Sequence, residues 1–196
     1  MNPRPQLILA SSSPYRAALL ERLGLAFICQ TPGIDEAAQA RESADRLVRR
    51  LAEAKARHVA RGHGAALVIG SDQVAVLDGR IIGKPGYHAQ AAAQLRAASG
   101  RRLSFLTGLC LLNGAADRTQ VDVIPTTVVF RELSDTEIEA YLHRERPYDC
   151  AGAFKSEGLG ISLLSAIESG DPTALIGLPL IRLCEMLRVE GVEILR

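Results

Sequence analysis

The sequence predicts an α/β fold: a mixed, twisted sheet flanked by helices, forming one domain over residues 1–196 with a cleft between two lobes. Three observations point there. A four-residue apolar run, Leu7–Ala10, passes at once into a polar loop and a helix start. A long amphipathic stretch, 43–61, leads almost directly into a second apolar run. Two later strand-like segments are followed by a capped helix, so strands and helices interleave along the chain. With 196 residues, 47% hydrophobic and 23% charged, the chain can bury a core of that kind.

Taken in order, "LILA" reads as a short buried strand and "SSSP" breaks it. Pro14 suits the first turn of a helix, and Gly24 stops that helix after Ala17, Leu20 and Leu23. Ser11, Ser12 and Ser13 place hydroxyls at its start, and Arg16 places a guanidinium in its first turn. A helix start of this kind offers free N–H groups and a positive dipole end, which favour phosphate. The simpler reading is a serine cap beside a solvated arginine.

The 43–61 helix carries Leu47, Leu51, Ala54 and His58 on one expected stripe, with Lys55 on or beside it. That lysine can run outward to solvent or point into a cleft. His58 is expected to pack at the helix edge without a chemical role.

Leu67–Gly70 reads as a strand that ends just before Asp72 and Gln73. Val74–Leu77, Asp78-Gly79 and Arg80–Ile82 form a hairpin, because Asp-Gly suits a tight type I′ turn. Ligands of α/β sheets gather beyond the carboxyl ends of strands, which makes Asp72 a candidate catalytic or metal-binding group. Lys84 follows the hairpin.

A helix over His88–Ala98 comes next, ended by Gly100. Strands are expected over Leu103–Leu112 and Val121–Phe130, with Pro125 marking an edge or a bulge. Ser134 to Glu137 is a capping box opening a helix to about Arg144. The loop "CAGAFKSEGLG" carries Lys155, Ser156 and Glu157. A last helix begins near Pro179, with Leu180, Leu183 and Leu187 inward and Gly191 after it.

Composition excludes several classes. A net charge of +1 projects no long-range field toward nucleic acid or an anionic membrane. The absence of tryptophan argues against a stacking platform for single strands. Cys29, Cys110, Cys150 and Cys184 are far apart, so no thiolate zinc cluster is expected, and each reads as a small reduced core side chain. The first apolar run is too short for a signal core or a membrane span. A cytoplasmic enzyme or binding protein is the expectation.

Five ordered pieces carry a resemblance: "LILASSSPYRAALLERLG", "PGIDE", "GSDQVAVLDGRIIGKP", "CAGAFKSEGLG" and "GLPLIRL". Over nearly its whole length the chain resembles the Maf family of nucleoside triphosphate pyrophosphatases. It looks like the subgroup acting on 7-methyl-GTP at three positions: Tyr15, Gln73 and Glu157. Members cleaving dTTP or UTP usually carry arginine, threonine and glutamine there.

The resemblance implies the architecture of inosine-triphosphate pyrophosphatases. It implies hydrolysis between the α and β phosphates, with a divalent metal such as Mg, Mn or Co. It further implies Asp72 as general base and Ser11, Arg16, Lys55, Lys84 and Lys155 around the triphosphate, with Ser13 adding a neutral donor. Glu36 joins Asp72 as a metal candidate, and its neighbour Asp35 competes for that role. The implied partner is a small nucleotide, with a homodimer left open. Rival expectations are a dTTP/UTP or other noncanonical nucleotide pyrophosphatase, and a nucleotide-binding regulator of septum formation.

The chemistry is consistent with this. A triphosphate carries about four negative charges and a magnesium ion offsets about two, so cations from several segments are needed. Arginine suits forked phosphate contacts and lysine acts as a point charge. N7-methylation makes guanine cationic. An aromatic face at Tyr15 would attract it by ~0.5–2 kcal/mol, and a carboxylate at Glu157 would accept from its N1–H and amino edge.

Overall fold

The computed structural model describes residues 5–195. Along the chain the elements are β1 (Leu7–Ala10), α1 (Pro14–Glu21), β2 (Phe27–Cys29), α2 (Ala44–Ala60), β3 (Leu67–Leu77), β4 (Arg80–Ile82) and α3 (His88–Ala98). They continue as β5 (Arg102–Asn113), β6 (Arg118–Phe130), α4 (Asp135–Glu145), β7 (Leu164–Ser169) and α5 (Leu180–Val189). Single 3₁₀ turns at Ala151–Ala153, Leu159–Leu163 and Ala174–Ile176 punctuate the second half. The expected α/β class holds, with parallel and antiparallel pairs both present.

The chain divides into two compact units. Among the described residues, one takes in Pro5–Asp72, Thr107–Ile124 and Asp171–Leu195; the other holds Gln73–Leu106 and Pro125–Gly170. In the first unit β1 lies between β2 and β3, parallel to both, with Leu7 opposite Leu67 and Leu9 opposite Ile69. Successive side chains on a strand face opposite ways. Leu7, Leu9, Leu67 and Ile69 therefore pack with Leu19 and Leu20 of α1 and Leu183 and Leu187 of α5. Ile8, Ala10 and Val68 pack on the other face with Ala52, Ala56 and Val59 of α2. Burial on both faces explains why these strands read as unbroken apolar runs.

In the second unit, the end of β3 and β4 form the expected hairpin, with Ala75 opposite Ile82. Asp78 and Gly79 both have positive φ, at 50° and 76°, as a type I′ turn requires. α3 packs on α4, and Phe154 sits against Phe105 and Phe130, with ring centroids 6.0 and 5.6 Å apart. Ser134 and Glu137 complete the capping box: the Glu137 carboxylate accepts the Ser134 N–H at 2.8 Å, and the Ser134 hydroxyl accepts the Glu137 N–H at 3.3 Å. β7 pairs with β6 from Thr126 to Phe130, so exposed Pro125 stands just before the stretch that pairs with β7.

Four expectations need correction. β3 does not end at Gly70 but runs on through Asp72 to Leu77. The buried face of α2 is Leu47, Val48, Leu51, Ala52, Lys55, Ala56 and Val59, which leaves His58 exposed. The true stripe includes the small residues Ala52 and Ala56, on which the sheet lies. Of the four free cysteines only Cys110 is buried; Cys29 is exposed and Cys150 and Cys184 are half-buried. β2 and β7 were not anticipated. Among the described residues, no helix is long and apolar enough to cross a membrane.

Candidate functional site

The opening loop is organised around Arg16. Ser13 caps α1, its hydroxyl accepting the Arg16 N–H at 3.4 Å, and Pro14 occupies the first turn as expected. The buried Ser11 hydroxyl accepts the Ser13 N–H at 3.1 Å and an Arg16 Nη1–H at 3.4 Å. The third hold on Arg16 is distant in sequence: its Nε–H donates to the Gly177 carbonyl at 2.9 Å. Burial pushes the Arg16 pKa below its ordinary value, and the charges of Asp72 and Glu36 act against that. Tyr15 is half-buried on the same turn, and Ser12 is exposed.

Lys55 and Asp72 meet because α2 lies very close to the sheet. A Cβ on Gly70 would fall 2.0 Å from the Ala52 carbonyl oxygen, and one on Gly108 would fall 2.2 Å from that of Val48. With no side chains at those points, the helix settles onto β3 and β5. Lys55, only 4% exposed, then reaches Asp72, 7% exposed, with Nζ 2.6 Å from Oδ1. The same ammonium lies 2.8 Å from Oε1 of the more exposed Glu36. Asp35 turns instead to its own backbone, accepting the Ala37 N–H at 2.9 Å.

Asp72 therefore sits inside a strand, not at its end. The strand continues because its polar side chains are satisfied there. Lys55 holds Asp72, and the Ser71 hydroxyl lies 2.9 and 2.8 Å from the carbonyls of Gly108 and Gly177.

The loop around Gly177, at the start of "GLPLIRL", carries no role expected from the sequence. Gly177 has φ of 118°, a conformation that favours glycine, and its carbonyl is shared by Arg16 and Ser71. The loop is tied at both ends. Thr107 donates its hydroxyl to the Ala174 carbonyl at 2.8 Å. The buried Asp171 carboxylate accepts the Thr173 hydroxyl at 2.6 Å and, with its other oxygen, the Ile181 N–H at 2.8 Å, capping α5.

The first unit thus gathers Ser11, Ser13, Arg16, Glu36, Lys55 and Asp72. Two carboxylates converge on one ammonium, beside a guanidinium and a helix start. Such a set can hold an anion together with a hard cation.

Gln73, Lys84, Lys155 and Glu157 belong to the second unit. Lys84 is exposed after β4 and Gln73 is half-buried. The Lys155 loop is fastened to α4: its N–H donates to the Tyr141 hydroxyl at 3.1 Å, and its Nζ lies 3.0 Å from Glu145 Oε1. Glu145 Oε2 accepts the Leu159 N–H at 2.7 Å. These contacts hold the Glu145 pKa below the usual carboxylate value, the Leu159 N–H most strongly and Lys155 next. Burial pushes the Tyr141 phenol up. Glu157 is exposed and accepts the Ser156 hydroxyl at 3.1 Å.

Comparison with known proteins bears directly on this arrangement. A family model described as Maf-like protein matches residues 6–190. A Pseudomonas fluorescens protein named 7-methyl-GTP pyrophosphatase is 58% identical over 188 residues, covering 96% of this chain and 98% of its own. A Methylobacillus flagellatus protein of the same name is 53% identical over 191 residues, covering 97% and 100%. Among solved structures, the Staphylococcus aureus Ham1 protein aligns at 14% identity with a TM-score of 0.44, over 64% of this chain and 71% of that one. A model match spanning nearly every residue described above, with relatives more than half identical along almost their whole length, means that this chain belongs to the Maf family.

Proposed function

We propose that the chain is a nucleoside triphosphate pyrophosphatase that hydrolyses 7-methyl-GTP between its α and β phosphates, releasing 7-methyl-GMP and pyrophosphate. The observation that carries this reading is the buried Lys55–Asp72 pair with Glu36 on the same ammonium and Arg16 held beside it. The names of the near full-length relatives supply the substrate and the reaction type, and the family resemblance supplies the bond cleaved.

Each side chain then has a task. Arg16 is fixed at Nε by Gly177, which leaves its guanidinium edge pre-set for phosphate oxygens. Ser11, Ser13 and the N–H groups of α1 add donors without adding charge. Asp72 orients the attacking water and takes its proton as the α-phosphorus–oxygen bond forms. Lys55 leaves its carboxylate partners for phosphate when substrate enters, offsetting the charge that spreads in the transition state. Lys84 and Lys155 bind phosphate as well, Tyr15 supplies an aromatic face for the cationic base, and Gln73 and Glu157 serve base selection.

The family resemblance calls for a divalent cation, and the residues present fit one. Glu36 and Asp72 offer paired carboxylate oxygens already drawn to a single positive charge, a donor set suited to Mg²⁺, Mn²⁺ or Co²⁺. When bound, such a cation would offset phosphate charge.

The test is pyrophosphate release from 7-methyl-GTP, GTP, UTP and dTTP with each of the three metals. Fastest turnover of 7-methyl-GTP is expected. Preference for UTP or dTTP would overturn the substrate, and binding without pyrophosphate release would overturn the enzyme.

A further inference from the structure

His88, Glu139 and His143 form a cluster that the proposed reaction leaves unused. His88 opens α3, and Glu139 and His143 stand one turn apart on α4, so they share a face. Glu139 Oε2 lies 2.7 Å from His88 Nε2 and 4.0 Å from His143 Nε2. The three ligand atoms all lie within 4.8 Å of one another. The two imidazoles are tilted by 36° with centroids 5.2 Å apart.

We propose that these three side chains form a binding site for a divalent transition metal, with zinc as the type ion. Donors bound at about 2.0–2.1 Å in a tetrahedron are about 3.3 Å apart, within the range these atoms already span. Small side-chain rotations bring all three into place, and the exposed His143 is free to make them. A fourth position opens to solvent and takes water.

Two neighbours prepare the cluster. The Tyr148 hydroxyl lies 3.0 Å from His88 Nδ1. Once a metal replaces the proton that Nε2 shares with Glu139, the hydroxyl can accept the Nδ1 proton, leaving Nε2 as the lone-pair donor that metal-bound histidines commonly use. Arg96 lies 3.7 Å from Glu139 Oε1, which leaves Oε2 as the oxygen turned to both rings. Imidazole donors favour Zn²⁺, Co²⁺, Ni²⁺ or Cu²⁺ over Mg²⁺. The cluster therefore favours Zn²⁺ over Mg²⁺, whereas the all-oxygen pair Glu36 and Asp72 suits Mg²⁺. Because α4 also carries Tyr141 and Glu145, which fasten the Lys155 loop, a metal joining α3 to α4 would stiffen that loop's support.

The experiment is equilibrium dialysis of chelator-stripped protein against Zn²⁺, with millimolar Mg²⁺ present to occupy oxygen sites. Wild type is expected to retain one zinc per chain. His88→Ala and His143→Ala should each weaken binding at least tenfold, and Tyr148→Phe several-fold. The double variant Glu36→Gln/Asp72→Asn should bind zinc as wild type does. Replacing Zn²⁺ by Co²⁺ should give intense visible bands that vanish in His143→Ala, whose exposed position makes misfolding no explanation. Equal uptake by wild type and both histidine variants, or no retained zinc in wild type, overturns the proposal.

Discussion

The two units treat the polar side chains proposed for the site differently. The first encloses them: Ser11, Lys55, Ser71, Asp72, Thr107 and Asp171 are all buried, each with a hydrogen-bond or ion-pair partner. The second leaves Lys84 and Glu157 exposed and holds Lys155, half-buried, against Tyr141 and Glu145 of α4. Buried polar groups cost free energy unless satisfied, so once satisfied they stand in one geometry. Exposed ones keep their freedom and lose entropy only on binding. Under the proposed function, the contrast would place reaction geometry in the first unit and adjustable recognition in the second, and each substitution below tests that division.

The largest effect is expected from Asp72→Asn, which keeps volume and removes charge. Pyrophosphate release should fall about 10²–10⁴-fold, the range for losing a positioned acid–base group. Lys55 keeps Glu36 at 2.8 Å, so far-UV circular dichroism should be unchanged. Turnover close to wild type would remove Asp72 from the reaction and break the division.

A pair of glycine substitutions comes next. In Gly70→Ala the new methyl meets the Ala52 carbonyl and the Ala56 nitrogen, at 2.0 and 2.9 Å, and neither can swing aside. α2 must lift, costing about 1–3 kcal/mol as other overpacked cores do. At ~2–4 °C per kcal/mol for a chain of this size, melting should drop by several degrees, with activity lost alongside because Lys55 rides on α2. In Gly83→Ala, in the second unit, the methyl meets nothing within 4 Å. Its melting temperature should stay within a degree or two of wild type. Equal losses in both would mean the second unit is as tightly fixed as the first.

Lys155→Ala should act mainly on binding. Losing a hydrogen bond to a charged group is worth about 1.5–3 kcal/mol, so KM for 7-methyl-GTP should rise roughly 10–100-fold with kcat less affected. A fall in kcat with KM unchanged would instead put Lys155 with the reaction geometry.

Which features the sequence disclosed follows from the range of the forces involved. The serine cap, the Asp-Gly turn and the Ser134 box are local: their partners lie within three residues. Gly177 was missed because its partners, Arg16 and Ser71, lie 161 and 106 residues away. β2 and β7 were missed because they are short and largely exposed, so they lack the apolar alternation that marks a strand. Asp72 and Lys55 were legible as residues, but their contact depends on Gly70 and Gly108, whose emptiness matters only once α2 is placed. The His88 cluster joins two helices, and no spacing within either reveals it.

The smallest expected effect concerns how Glu145 holds the Lys155 loop in acid. Its folded-state pKa lies below the ordinary value, so its stabilisation is complete above that value and is lost as pH falls through the lowered one. The loop should therefore stay fastened through about pH 4.3, the ordinary glutamate value, and loosen only in stronger acid. The largest cause of the depression is the Leu159 N–H, with Lys155 second. Carboxyl-carbon NMR titration of Lys155→Ala should thus show the Glu145 pKa moving only partway back. A full return would mean that the lysine alone holds this carboxylate. The backbone contact would then be a consequence of the ion pair, and the loop would let go of α4 whenever Lys155 leaves for phosphate. A partial return means that the loop keeps its place while its lysine moves, as adjustable recognition on a fixed backbone requires.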